Sequence, residues 1–370
     1  MDGVEAKYSS IHFLYQYCAK PLFFMCDPEE VHDHIVKMGI VLGSSRVGRS
    51  LVSSLFHYEH EALRQNILGI HFPNPIGLAA GFDKNAQLTD ILPAVGFGFE
   101  EAGSITGESC AGNPRPRLWR LKKSKGLMIY YGLKNDGCQA IAERLSKKQF
   151  AIPVGMSVAK TNSPATVDLE SAIEDYVKAY KAFINIGSYT TINISCPNAF
   201  GGEPFTDPAK LDALFTVLDT IPSKKPIFIK LSPDLETAQL DDLLSVLDHH
   251  VIHGIISSNL TKNRVNQKII QDAVPDKGGM SGKIVEDLAN KQLAYLYKKT
   301  KGKYVLIGCG GVFSARDAYA KIKMGASLVQ LITGMIYEGP QLIGNINREL
   351  VALLKQDGYS STSQAIGVDA

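Results

Sequence analysis

The sequence predicts an α/β protein: a (β/α)8 TIM barrel carrying a small N-terminal helical module. Three observations lead there. Beyond residue 74, eight short β-rich apolar runs alternate with helix-like stretches over about 270 residues, the spacing of a closed barrel. Glycines and polar residues recur just after every run, at the end where barrel loops carry chemistry. No G-x-G-x-x-G follows any run, which disfavours a Rossmann-type sheet, the nearest alternative.

Residues 1–60 stand apart as the helical module. "IHFLYQYCAKPLFFM" (11–25) is dense in aromatics and is expected to break at Pro21. "DPEEVHDHIVKMGIVL" then opens with Asp27 as N-cap, Pro28 at the first helical position and two acids in the first turn. Val31, Ile35 and Met38 follow at helical spacing. Two short amphipathic helices joined near Asp27 are predicted. Their apolar faces either pack on the main domain or meet a membrane surface or an apolar ligand.

Residues 61–370 make the barrel. Strands are expected at 75–80, 97–102, 152–158, 189–194, 226–231, 254–258, 304–308 and 328–332. Helices are expected at 169–184, 236–248, 284–300 and 314–323, the last capped by Ser314 and ended by Gly325. Segment 103–150 is longer than an ordinary barrel loop and rich in Gly, Arg and Lys, as lids and binding elaborations are.

A 45% apolar content is enough for a large core, and a net charge of +2 with mixed signs excludes a basic field for nucleic acid. The six cysteines are scattered, with no CxxC pair and no zinc-site spacing, so no metal is expected and a reducing compartment is favoured. No run of about 20 apolar residues exists, so no transmembrane helix is expected, and the N-terminus lacks a signal-peptide pattern.

The strand ends carry the chemistry. "IGCGG" and "ITG" after the last two strands free backbone N–H groups for an anion, the usual phosphate site of this fold, and favour a phosphorylated cofactor. Lys84 follows the first strand, and Lys230 lies within the apolar "IFIKLSP". An inward lysine needs an anionic or electron-rich partner; acids are sparse at the strand ends, so a flavin suits these two cations. Asn193, Asn198 and Asn259 offer paired donors and acceptors for a cyclic amide such as a pyrimidine. Cys196, in "NISCPN", stands among these amides as a candidate general base; taken alone, a cysteine is more often a small buried hydrophobe.

These motifs together resemble a known family. "NPIGLAAGFDKNA", "NISCPN", "IKLSPDL", "GGMSGK", "IGCGGV", "GASLVQLITG" and "DGYSSTSQAIG" are similar to dihydroorotate dehydrogenase, in family order from about residue 20 to 366. The resemblance implies an FMN-binding barrel that oxidises dihydroorotate to orotate for pyrimidine synthesis: a base takes the C5 proton while hydride passes from C6 to flavin N5. By position, Ala79, Ala80, Gly81, Gly103 and Ser104 would surround the flavin. Lys84 and Lys230 would touch its polar edge, Lys84 also reaching the substrate, and Ser157, Asn193 and Ser258 would complete the flavin site. Ser281, Gly282, Gly310, Gly311, Thr333 and Gly334 would hold the phosphate. Asn193, Asn198 and Asn259 would bind the pyrimidine, and Cys196 falls on the family's base.

The subclass signals are mixed. The N-terminal helices with "DPEEVH" resemble the quinone-linked, membrane-associated class, whose tunnel positions match His32 and Arg120. This implies a quinone as acceptor and a peripheral protein of the bacterial cytoplasmic or mitochondrial inner membrane. Cys196, Leu133 and Ser157 follow the other class, which allows a soluble acceptor such as fumarate. Ala199 and Ile332 stand where the quinone-linked class has a threonine and a tyrosine, and Ile129 stands where the family has a substrate-binding asparagine. The Ile129 departure keeps another cyclic amide open as substrate, with Tyr130 and Asn135 as candidate replacements. A non-catalytic flavin binder would not need the lysine, asparagine and cysteine set.

Overall fold

The structure, a computed structural model, describes residues 3–270 and 273–370. Eight parallel strands close into a barrel in sequence order: β1 (Ile76–Leu78), β2 (Phe99–Ile105), β3 (Val154–Val158), β4 (Tyr189–Asn193), β5 (Ile227–Leu231), β6 (Gly254–Ser257), β7 (Val305–Cys309) and β8 (Leu328–Leu331). Each lies at its expected place, because a strand buried on both faces reads as an unbroken apolar run. The four expected helices form as well, at Leu169–Ala182, Thr237–Leu247, Glu286–Thr300 and Ala315–Lys323, and the Ser314 hydroxyl accepts from the Asp317 N–H.

The barrel interior is layered. At its floor Phe99, Tyr189 and Phe228 pack with Phe72, which arrives from an antiparallel ribbon, Gln65–Ile67 with Ile70–Phe72. Phe72 meets Phe99 edge-on, ring centroids 5.5 Å apart. Each of three rings faces a glycine on a neighbouring strand. A Cβ on Gly77, Gly155 or Gly254 would stand 2.3, 2.1 or 2.2 Å from Phe99, Tyr189 or Phe228. Small residues on one strand thus leave room for rings on the next. One layer higher Glu101, Thr191, Lys230 and Gln330 are all buried, and the carboxylate of Glu101 gathers the other three.

Segment 103–150 forms a β-ribbon, Leu118–Leu121 against Gly126–Ile129, extended by Gly279–Met280, and then the helix Cys138–Leu145. The N-terminal module departs from expectation at Pro21. Helical structure runs from Gly3 through Met25, because a π-turn at Tyr15–Ala19 precedes the proline. In it the Lys20 N–H bonds to the Tyr15 carbonyl, a wider register that carries the chain past a residue with no N–H to donate. A further helix, Arg46–Phe56, was not foreseen; Pro28–Ser44 begins as expected, with the Asp27 carboxylate accepting from the N–H groups of Glu29 and Glu30.

The helices are fastened to the barrel by polar contacts. Tyr15 donates its hydroxyl to the Ile336 carbonyl at 2.7 Å, and Gln16 donates to the Tyr337 carbonyl at 2.9 Å. Glu29, an acid expected merely to favour the helix start, is buried and grips Arg117 of the long excursion through two oxygens, with Arg115 alongside. Burial opposes its charge, but the two arginines hold its carboxyl at about 2. No helix among the described residues is long and apolar enough to cross a membrane.

The floor predicts its own sensitivity. Gly155→Val should destabilise the protein by about 1–3 kcal/mol through overpacking against Tyr189, read as a lowered thermal unfolding midpoint; an unchanged midpoint would show that the ring can move aside.

Candidate active site

The C-terminal ends of the strands surround a cavity of about 190 Å³ beneath the β-ribbon. Its wall contains Ala79, Ala80, Gly81, Lys84, Gly103, Ser104, Asn193, Cys196, Asn198, Lys230, Ser258, Asn259, Ser281, Gly282, Gly310, Gly311, Thr333 and Gly334, so residues far apart in sequence converge as expected. Ser157 is the exception. It is fully buried behind Ser104, and the two hydroxyls lie 2.7 Å apart. Its side chain orients a wall residue instead of forming the wall.

At one end of the cavity the backbone is bare. Gly282, Gly310 and Gly311 have positive φ, and a Cβ on Gly334 would lie 2.0 Å from the Val312 carbonyl oxygen. Side chains are excluded there by both conformation and space. The Ser281 and Thr333 hydroxyls, 2.8 Å apart, stand beside this cradle.

At the other end the amides brace one another. Asn193 donates to the Ser104 hydroxyl at 2.8 Å and accepts from the Ser195 N–H at 3.2 Å. Asn259 donates to the Ser195 carbonyl at 2.8 Å, and Asn198 to the Ile129 carbonyl at 2.9 Å. Such bracing fixes which face of each amide meets a ligand. The buried Ser258 hydroxyl has no partner among the described residues.

The two lysines differ. Lys230 pairs with Glu101 at 3.2 Å, so although acids are sparse at the strand ends, a barrel carboxylate sits one layer below them. Burial disfavours its charge, but Glu101 outweighs burial and raises its pKa. Lys84 has no such carboxylate against it among the described residues. Its ammonium lies 4.1 Å from the centre of the Tyr131 ring and 3.3 Å from His32 Nε2, and burial pulls its pKa down to about 7. The Asp83 carboxylate holds its loop by accepting from the N–H groups of Gln87 and Leu88.

A second, apolar cavity of about 340 Å³ lies under the N-terminal helices, bounded by residues such as Phe24, Val31, Ile35 and Leu42. His32, Phe82, Leu118, Leu127 and Ile336 line both cavities. His32 is thus in the dividing wall; burial and the Lys84 charge lower its pKa to about 4, so it is neutral near pH 7. Arg120 lines the apolar cavity, stacks 4.7 Å over the Phe24 ring and donates to the Cys26 carbonyl at 2.8 Å.

Several wall residues were not foreseen. Tyr131 and Lys134 line the polar cavity, and the Tyr131 hydroxyl is buried without a partner among the described residues. Ile129 faces the cavity, as its place in the motif requires. Neither proposed replacement does. Asn135 spends its amide on Thr106, Leu133 and Gly137, and Tyr130 lies beside Lys277. No sequence signal separates Tyr131 from Tyr130, because alternate residues of an irregular loop have no fixed facing.

Comparison with known proteins agrees with this geometry. The family model described as dihydroorotate dehydrogenase matches residues 62–354, which hold the whole barrel. A relative from Natronomonas pharaonis, named dihydroorotate dehydrogenase (quinone), is 38% identical over 358 residues, covering 96% of this chain and 99% of the relative. A Nostoc protein of the same name is 35% identical over 374 residues, with coverage of 96% and 99%. Among solved structures, the Eimeria tenella DHODH complex with ferulenol superposes with a TM-score of 0.82 at 28% identity, over 93% of this chain and 96% of that one. With a family model spanning most of its length and relatives above 30% identity over nearly all of it, this chain belongs to the dihydroorotate dehydrogenase family.

Proposed function

We propose that the protein oxidises dihydroorotate to orotate in pyrimidine biosynthesis, using bound FMN and passing electrons to a quinone. The observation that carries this reading is the shared wall: a polar cavity with a glycine cradle and an amide clamp abuts an apolar cavity under the N-terminal helices. A soluble acceptor such as fumarate would not need the second cavity. Relatives of nearly the same length carry the quinone-linked name.

FMN fits the residues present. The cradle of Gly282, Gly310, Gly311 and Gly334 with Ser281 and Thr333 suits its phosphate, and the free Ser258 hydroxyl and Lys230 offer donors to its polar parts. When bound, FMN supplies the two-electron acceptor. The chain does the rest. Asn193, Asn198 and Asn259 orient the pyrimidine ring, Lys84 neutralises its carboxylate, and Cys196 takes the C5 proton. The ribbon over the barrel mouth shields this chemistry from water.

Ile129 favours a second reading, in which a related cyclic amide is the substrate, because an apolar side chain occupies the place of an amide partner. Purified protein should be yellow and should bleach anaerobically on adding dihydroorotate. Bleaching only by other members of a cyclic-amide panel would favour the second reading. Ubiquinone or menaquinone analogues should restore the colour, whereas fumarate and NAD should not; efficient reoxidation by fumarate would remove the quinone.

Lys84 gives a pH signature. A pKa near 7 means the ammonium that meets the substrate carboxylate is lost as pH rises. Orotate should therefore bind about tenfold more weakly at pH 8 than at pH 6, following one titrating group of that pKa. In Lys84→Met the dependence should vanish along with most of the affinity.

The helices also offer a membrane face. Phe13, Leu14, Tyr17, Leu22 and Met25 are all exposed on the first helical stretch, and Val41, Val47 and Leu51 on the next two helices. This supports peripheral contact with the bacterial cytoplasmic or mitochondrial inner membrane, the helical module of residues 1–60 acting as both anchor and quinone route. The full chain should sediment with phospholipid vesicles. Leu22→Asp should weaken that partitioning about tenfold or more, the effect of losing one buried leucine; equal sedimentation of both would exclude this face.

A further inference from the structure

A small recess adjoins the main cavity at Cys196. It offers about 10 Å³ for a water centre, roughly the least that holds one molecule. Cys196 is part of both walls, together with Leu133 and Asn193. The recess also takes in Lys160, Tyr176, Asn193 and Ala199. Lys160 comes from the loop after β3 and is 4% exposed; its ammonium donates to the Phe200 carbonyl at 2.6 Å. That bond engages a single N–H of the ammonium, and its remaining donors are open to a water in the recess.

The other polar groups around the recess are occupied. The Tyr176 hydroxyl donates to the Asn193 carbonyl at 2.7 Å. Asp175, on the same helix, accepts from the Thr161 N–H and hydroxyl. Glu203, on the loop after Cys196, pairs with Lys262 at 3.4 Å, so its negative charge, which raises the thiol, is partly offset. Among the described residues, Lys160 is left as the cation without a carboxylate partner beside the sulfur.

We propose that Lys160 is the positioning residue for the base: its positive charge, bridged by one water in the recess, holds Cys196 as a thiolate facing the substrate. The inference rests on the reading of Cys196 as base. It addresses a difficulty in that reading: burial outweighs the Lys160 charge and leaves the thiol at about 11, far from where a base works at neutral pH, so the bridging water is the element that the charge by itself does not supply. Burial likewise pulls Lys160 down, and each group opposes the other's shift. A water that accepts from the Lys160 ammonium and donates to the sulfur adds a hydrogen bond to the charged form of the thiol, which favours the thiolate beyond the charge alone. In turnover the C5–H bond breaks and its proton forms the S–H bond on Cys196, while FMN, when bound, would accept the C6 hydride with its electron pair. The same ammonium then favours loss of the thiol proton through the recess water to bulk solvent, restoring the thiolate.

The test uses holoenzyme and two readouts. Anaerobic flavin reduction by dihydroorotate is followed against pH, and the iodoacetamide alkylation rate of Cys196 is read by peptide mass spectrometry, which separates it from the exposed Cys18 and Cys26. In Lys160→Met both midpoints should move up by about one pH unit or more, the effect of removing a nearby opposite charge, while the high-pH limits stay close to wild type. Lys160→Arg should restore most of the shift. A Lys160→Met protein slowed equally at every pH, with an unmoved alkylation midpoint, would overturn the proposal and leave Lys160 a structural role. Cys196→Ser separates the underlying reading: an undiminished rate there removes the cysteine as base, and the Lys160 proposal with it.

Discussion

The ion pair between Lys230 and Glu101, 3.2 Å long inside the closed barrel, is the contact on which the polar half of the structure depends. An eight-stranded parallel barrel fills its interior with side chains, and a lysine there without a partner would lose its charge or unfold its strand. Glu101 also accepts from Thr191 and Gln330, so one carboxylate ties β2, β4, β5 and β8 at a single level. Below it the rings of Phe99, Tyr189 and Phe228 close the floor; above it Ser104 and Asn193 begin the site. The pair marks the change from core to chemistry.

A second ion pair sets how the site is enclosed. Glu29, at the start of the helix Pro28–Ser44, holds Arg117 and Arg115 at the base of the ribbon. The ribbon roofs the polar cavity while the helices enclose the apolar one, so this cluster binds the two enclosures together. His32 lies one turn further along the same helix, in the dividing wall, with Nε2 2.9 Å from the Phe82 carbonyl. The link between the cavities is therefore built on the same helix that carries the clamp, and a shift of that helix would change both.

The mixed class signals take on a physical sense at Cys196. A thiol is intrinsically more acidic than a serine hydroxyl, but deep burial removes that advantage unless a positive charge lies near. Lys160 lines the same recess as Cys196 and Ala199. The cysteine and its surroundings are better understood as one unit than as a single exchanged residue. Ile129 is the other departure; in the same cavity wall the Tyr131 hydroxyl has no partner among the described residues.

The barrel, its eight strands, four of its outer helices and about half of the cavity wall were legible in the sequence. Those features are written locally: unbroken apolar runs mark strands buried on both faces, and glycines mark where backbone must approach a ligand. The asparagines, Cys196, Lys84 and the glycine cradle were legible because they lie at strand ends or in the loops that follow them. Tertiary structure decided what those residues do to each other. Glu101 and Lys230 are 129 positions apart, and His32 and Lys84 are 52 apart, so no local pattern announces either contact. It also decided that Ser157 stands behind the wall, that helical structure passes Pro21 by a π-turn, and that Lys160 shares a recess with Cys196. Pattern is set by neighbours along the chain, whereas burial and charge pairing are set by neighbours in space.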